Sequence, residues 1–283
     1  MGRVRVGTCA WSDHEAFYPP GLPARERLSY YARFFRLVEV DSTFYALQPA
    51  RNFALWADRT PEDFLFNVKA YGALTRHHRQ PRPGEEDLGQ VFRRFSESLA
   101  PLRAAGKLRA VHLQFPPWFT ATRESESYLR YCREALPHDL LAVEFRHRSW
   151  FHQGRAEETL RFLREHEMVH VVCDEPQVGW GCVPLVPAVT HPGLSILRLH
   201  GRNAATWYKS GKTSAERFDY LYSRTELAGL LGVVRRLEAD AGEVHVLMNN
   251  NRSNYAVRNA LDMLELLGEP VPPRDESGSP VMA

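Results

Sequence analysis

The chain has 283 residues and only four cysteines, Cys9, Cys132, Cys173 and Cys182. No CxxC pair occurs among them, so the sequence offers neither a disulfide framework nor a zinc-finger spacing, and a reducing cytoplasm is the expected compartment. Long apolar runs are also missing. No stretch of about 18 apolar residues is present, and the N-terminal MGRVRVGTCAWSD lacks the apolar core of a signal peptide, so a soluble, unexported protein without a membrane partner is expected. Charge of one sign is lacking too: 36 Lys and Arg stand against 34 Asp and Glu, a formal net charge of +2. Any site for an anion must therefore come from local clustering rather than overall charge. Phosphate-loop, dinucleotide and nucleophile-elbow motifs are absent. Gly211-Lys212-Thr213 has Thr206 where a phosphate loop needs glycine, and it does not directly follow a strand.

What is present is a repeated unit, a short apolar run ending in polar residues, then a loop, then an amphipathic stretch. Eight such runs occur, at 4–7, 38–41, 64–69, 110–115, 141–145, 168–174, 195–200 and 244–249. Helical patterns cover 24–36, 50–58, 85–105, 123–136, 155–166, 225–240 and 255–267. Between the sixth and seventh runs lie Pro176, Gly179, Gly181, Pro184, Pro187 and Pro192, which predict a long loop without a regular helix. Eight strands alternating with helices predict a single TIM-type (β/α)8 barrel over residues 1–268. The Pro-, Gly- and Ser-rich segment 269–283 predicts a disordered tail.

Successive strand residues face opposite sides of a sheet, and several runs split by that parity. Val38 and Val40 oppose Glu39 and Asp41; Phe66 and Val68 oppose Asn67 and Lys69; Val111 and Leu113 oppose His112 and Gln114. Downstream, Val143 and Phe145 oppose Glu144 and Arg146, Leu197 and Leu199 oppose Arg198 and His200, and Val246 and Met248 oppose His245 and Asn249. Parallel strands between helices are covered on both faces, so the polar face predicts the barrel interior. Buried charges must pair with one another, hold a ligand or reach solvent at the mouth. Glu39, Lys69, Glu144, Arg146, Asp174, His200 and Asn249 are expected to converge at the C-terminal end, where barrel sites lie.

Taken together and in order, Gly7 to Trp11, FYPPGLP (17–23), VEVDSTFY (38–45), FLFNVKA (64–70), LQFPPWF (113–119), AVEFRHRSW (142–150), RLHGR (198–202) and MNNNRSNYAVRNA (248–260) resemble the YecE-like family, domain of unknown function 72. The resemblance spans residues near 5 to near 267. It implies one TIM-type barrel and little chemistry, because that family has no established activity beyond a sugar-isomerase-related label attached by fold analogy.

The residues themselves suggest several chemistries. Lys69, Arg146, Arg198 and Arg202 suit a phosphate or carboxylate, and are equally suited to neutralising Glu39, Asp41, Glu144 and Asp174. Those carboxylates with His112 and His200 could instead ligate a divalent metal, although no local ligand motif supports one. Glu39, Lys69, Glu144 and His200 are the candidate acid–base groups. Trp11, Asp41, Tyr45, Gln114, Arg146, Asp174, Arg198, Arg202, Tyr208, Asn249 and Asn250 are the candidate ligand-binding residues. The rings following the strands (Trp11, Phe44, Tyr45, Trp118, Trp150, Trp180, Trp207 and Tyr208) could form a stacking wall or simply pack the loops. His77, His78, His138 and His152 read as surface residues. Two functions follow: an enzyme acting on an anionic, phosphorylated sugar-like or nucleotide-like substrate by acid–base or metal-assisted chemistry, or a non-catalytic binder of nucleotide or nucleic acid.

Overall fold

The computed structural model describes residues 2–208, 214–275, 278 and 280. Gly211-Lys212-Thr213, and 276, 277, 279 and 281–283 of the tail, lie outside the described residues. Eight parallel strands close into a barrel in sequence order: β1 (Arg3–Cys9), β2 (Leu37–Val40), β3 (Leu65–Lys69), β4 (Leu108–Gln114), β5 (Leu141–Glu144), β6 (Val169–Asp174), β7 (Ser195–Leu199) and β8 (Glu243–Met248). β8 pairs back to β1 from Arg3 opposite Glu243 to Thr8 opposite Met248.

Helices α1 (Arg27–Tyr31), α2 (Ala50–Asp58), α3 (Leu88–Ser98), α4 (Ala100–Ala104), α5 (Arg123–Ala135), α6 (Ala156–Glu165), α8 (Arg224–Asp240) and α9 (Tyr255–Leu266) cover the outside, and the four-residue α7 (Ser214–Arg217) lies at the mouth. No helix lies between β6 and β7, in agreement with the proline and glycine density there. The helix expected over 85–105 is two. Pro101 sits in the first turn of α4, where its missing N–H costs nothing, and this divides α4 from α3 at Leu99. α8 starts at a capping box in which Ser223 and Glu226 exchange side-chain to backbone bonds. Within the described residues no helix is long and apolar enough to cross a membrane.

Two shells make the core. Val38, Val40, Phe66, Val68, Val111, Leu113, Val143, Phe145, Leu197, Leu199, Val246 and Met248 are all buried outside the barrel against the helices. Each such burial stabilises the fold by roughly 1.5–3 kcal/mol. The inner shell is polar. At the N-terminal end, Glu243 joins Arg5 (2.5 Å) to Arg109 (2.7 Å), and above it His245 meets Asn67 at 3.1 Å. Gly7 in β1 serves close approach, since a Cβ there would collide with the backbone carbonyl of Leu37 in β2.

Of the described tail residues, Arg274 pairs with Asp262 on α9 at 2.5 Å. Together with Arg274 opposite Pro280 in a short bridge, this contact lays that part of the tail against the barrel.

Candidate functional site

The ends of β2, β4, β5 and β7 bring four ionisable side chains into one buried group. Arg198 is its centre. Its Nη2 donates to Glu39 Oε1 at 2.6 Å and to Asn249 Oδ1 at 3.2 Å, while Nη1 donates to Glu144 Oε2 at 3.2 Å. His112 bridges the two carboxylates, with Nδ1 2.7 Å from Glu39 and Nε2 3.2 Å from Glu144. Both carboxylates are 0% exposed. Burial alone would push them up, but Arg198, helped by His112, holds both well below the usual carboxylate range. Burial likewise pushes the His112 imidazole down, and the two carboxylates more than offset this, so that it is raised. Glu39 and Glu144 thus lie between Arg198 and an imidazole whose charged form they favour.

His200 behaves in the opposite way. Burial, reinforced by Arg146 and Arg198, takes its imidazole down to about 3 against the pull of Glu144, so it is neutral. Its Nε2 lies 3.2 Å from Glu144 Oε1, and the Asn249 amide faces Nδ1 at 2.8 Å. Gln114 donates to the same Glu144 oxygen at 2.6 Å. Arg146 reaches Glu144 and Glu175, and its guanidinium lies against the Trp207 ring, 4.7 Å from the centroid. Trp207, 4% exposed, closes this half of the barrel end.

The other half is open. A cavity of about 510 Å³ is walled by Trp11, Asp13, Asp41, Phe44, Tyr45, Lys69, His77, Gln114, Arg217, Phe218, Asn249 and Asn251, with Arg198 at its edge. Asp41, on the strand end beyond Glu39, keeps 22% of its side chain exposed and lies 3.9 Å from Lys69 Nζ. Its Oδ1 accepts no hydrogen bond. Burial and the charge of Glu39 push the Asp41 carboxyl up to about 6, against Lys69 and Arg198. Lys69 in turn sits over the Phe44 ring at 4.9 Å.

Among the residues singled out by sequence, Glu39, Glu144, Arg146, Arg198, His200 and Asn249 come together beneath the mouth, and Asp41, Lys69, Trp11, Tyr45 and Gln114 line the cavity. Asp174 does not converge with them. β6 presents Cys173 to the interior, so Asp174 faces away and accepts from Arg202 (2.7 Å) and Tyr222 (2.6 Å). Arg202 is drawn off with it. Tyr208, largely exposed, donates to the Val178 carbonyl, and the buried Asn250 amide serves Tyr220 and Asn259. Trp150 is no rim residue. It is 1% exposed, stacked on Phe145 and Phe119. His77, expected on the surface, lines the cavity between Phe44 and Trp118, and His78 pairs with Glu85 at 2.9 Å.

Cys173 and Glu175 escaped the sequence reading because the run from Met168 to Cys173 is apolar except for His170 and shows no parity split. Asp13 and Asn251 come from loops and Arg217 from the end of the four-residue α7, where no periodicity marks a direction. Among the described residues, two groups have three ligand-type side chains close together, Glu144, Cys173 and His200, and Cys9, Glu39 and Asp41, each with donor atoms within 4.8 Å of one another. All four cysteines are buried and unpaired.

The family profile described as "Protein of unknown function DUF72" matches residues 5–280. The UPF0759 protein YunF of Bacillus subtilis is 40% identical over 267 residues, which cover 93% of this chain and 94% of that protein. A DUF72 family protein from Enterococcus faecalis superposes with a TM-score of 0.86 at 31% identity, covering 96% of this chain and 99% of the other. One from Thermotoga maritima does so at 0.81 and 35%, covering 94% and 100%. With its eight-stranded barrel and this agreement over nearly the whole length, the chain belongs to the DUF72 family.

Proposed function

We propose that this protein is an enzyme that binds an anionic, phosphorylated sugar-like or nucleotide-like substrate in the open half of the barrel mouth and moves a proton there with Asp41. The observation that carries this reading is the pair of Asp41 and Lys69, 3.9 Å apart in one cavity, with a carboxylate oxygen that Lys69 faces but that accepts no hydrogen bond. Lys69 and Arg217 supply charge for a phosphate, and the side-chain amides of Gln114, Asn249 and Asn251 supply directional donors and acceptors. Trp11, Phe44 and Tyr45 offer apolar faces for a ring. A carboxyl pushed up to about 6 exchanges its proton near neutral pH, which a general acid or base requires. Glu39 and Glu144, sealed beneath, hold Arg198 and His200 in place and do not face the cavity.

Thermal unfolding with inorganic phosphate and a panel of sugar phosphates and nucleotides tests the reading. A ligand that binds only the folded chain raises the melting temperature by mass action. Lys69→Ala should abolish that rise, and Asp41→Asn should leave it in place while removing turnover of the substrate so found. No shift with any of these anions overturns the reading.

A second reading, binding of nucleic acid without turnover, is favoured by Trp118 and Trp180, 47% and 56% exposed on the loops after β4 and β6. Salt-sensitive binding of single-stranded nucleic acid without product formation would select it over the first.

A further inference from the structure

His77 lines the mouth cavity with Asp41, Lys69 and Gln114, and the loop after β3 holds it there through a strained residue. Arg76, just before it, closes the turn Gly72–Thr75 with φ at 61°, in the left-handed region that residues other than glycine rarely take. Such a conformation persists where its surroundings hold it, and here three contacts do so. The Arg76 carbonyl accepts from Trp118 Nε1 at 3.1 Å, and the Arg76 guanidinium lies 4.0 Å from the centroid of the Tyr128 ring. The His77 N–H donates to the Gly72 carbonyl at 3.0 Å.

The imidazole is fixed as well. Its ring stands edge-on to Phe44, 4.7 Å between centroids, and to Trp118 at 6.0 Å. Nδ1 lies 2.8 Å from the hydroxyl of Thr75, which is 1% exposed, so this nitrogen is engaged on the protein side. Nε2 is left for the cavity, and among the described residues it has no hydrogen-bond partner. Burial takes the imidazole down to about 3, reinforced by Lys69, His78 and Arg146 against the pull of Glu144, so it is neutral. A neutral imidazole adds no charge for a phosphate. It does match a hydroxyl group in either tautomer, because a hydroxyl both donates and accepts. Lys69 Nζ lies over the same Phe44 ring, 4.9 Å from its centroid, so cation and imidazole address neighbouring parts of one ligand.

We propose that His77 is a specificity-determining residue of the mouth: its Nε2 bonds a hydroxyl group of the ligand while Lys69 holds the phosphate, so that the substrate is a sugar phosphate with a free hydroxyl near its phosphate end. The proposal rests on the reading of the mouth as an anion site and narrows the ligand within it. Selection works through the cost of an unmade bond. A ligand lacking that hydroxyl leaves Nε2 facing the cavity without a partner and without the water it displaced, and a site built to bond a hydroxyl rejects such an analogue strongly. A packing role for His77 between Phe44 and Trp118 would use the ring and not Nε2. Replacement by phenylalanine, which keeps a ring and removes both nitrogens, separates the two roles.

The test is titration calorimetry of the full chain with inorganic phosphate and with a panel of pentose and hexose phosphates and their monodeoxy counterparts. At least one sugar phosphate should bind about tenfold or more tightly than inorganic phosphate, and loss of one of its hydroxyls should cost about tenfold. His77→Phe should cost that sugar phosphate the same factor, and should leave its deoxy counterpart and inorganic phosphate unchanged. His77→Gln, which keeps a donor and an acceptor, should recover part of the loss, and Lys69→Ala should weaken every anion. Wild-type chain that binds neither phosphate nor any sugar phosphate overturns the reading of the mouth and this proposal with it. Phosphate binding with no sugar phosphate tighter than inorganic phosphate overturns the role of His77 alone. So does a His77→Phe chain that binds the sugar phosphate as wild type does. If His77→Phe does not fold, the ¹⁵N resonances of the His77 imidazole in the wild-type chain decide, and resonances moved no further by sugar phosphate than by inorganic phosphate overturn the proposal.

Discussion

Arg198 on β7 and Glu39 on β2, 159 residues apart in sequence, meet across the barrel at 2.6 Å with 1% and 0% of their side chains exposed. Replacing either alone takes from the other its shortest charged contact. Arg198→Met leaves Glu39 with His112 as its basic partner and takes one guanidinium from Glu144, which keeps Arg146 and Gln114, and the fold should lose about 3–5 kcal/mol in urea unfolding. Arg198→Met combined with Glu39→Leu should recover part of that loss. If the single variant is as stable as wild type, the pair does not hold the barrel together.

Glu175 gives the fold a dependence on pH. Burial pushes its carboxyl up to about 7, against Arg146. Between the ordinary value of about 4.3 and that one, the folded chain binds more protons than the unfolded, so this contribution is present in full below about pH 4.3 and is lost as pH rises through 7. Glu175→Gln keeps the neutral form at every pH. The stability of wild type minus that of Glu175→Gln, measured by urea unfolding in the presence of chelator, should therefore fall by a few kcal/mol across this window. A flat difference would place the carboxyl's titration elsewhere.

Trp150 separates packing from ligand contact among the rim aromatics. It forms one stack with Phe145 (4.1 Å between centroids) and Phe119 (5.7 Å), which in turn stacks on Phe115 (4.1 Å). Trp150→Ala should cost about 3–5 kcal/mol. The thermal response to phosphate should be kept, because Trp150 does not line the mouth. Loss of that response in a still-folded variant would show that the stack shapes the cavity.

Gly7 tests the closure of the barrel at the β1–β2 seam. Gly7→Ala places a methyl group against the Leu37 backbone, which cannot rotate aside, and should destabilise the chain by about 1–3 kcal/mol. Gly229, on α8 with nothing near its would-be Cβ, is the control. Gly229→Ala should be neutral or stabilising, by up to about 1 kcal/mol. Equal effects at the two positions would mean that the seam is free to shift.

The strands were legible because an apolar outer face and a polar inner face alternate with the period of the pleat, and because loops rich in proline and glycine mark where β6 and β7 part. That same alternation put Glu39, Glu144, Arg198 and His200 on one face of their strands. Which of them would be sealed was not legible, because burial depends on Trp207, a ring on a neighbouring loop that folds down over Arg146 and His200. β6 misled for a related reason. With apolar residues on both faces it carries no parity signal, so Asp174 looked like the inward group when Cys173 is. The helix, strand and interior assignments follow from local periodicity, which the chain carries residue by residue. The pairing of Arg198 with Glu39, the opening of the cavity on the Asp41 and Lys69 side, and the convergence of Glu175 with Cys173 on Arg146 were decided only by closure of the barrel, since they join side chains from distant strands whose separation no local pattern encodes.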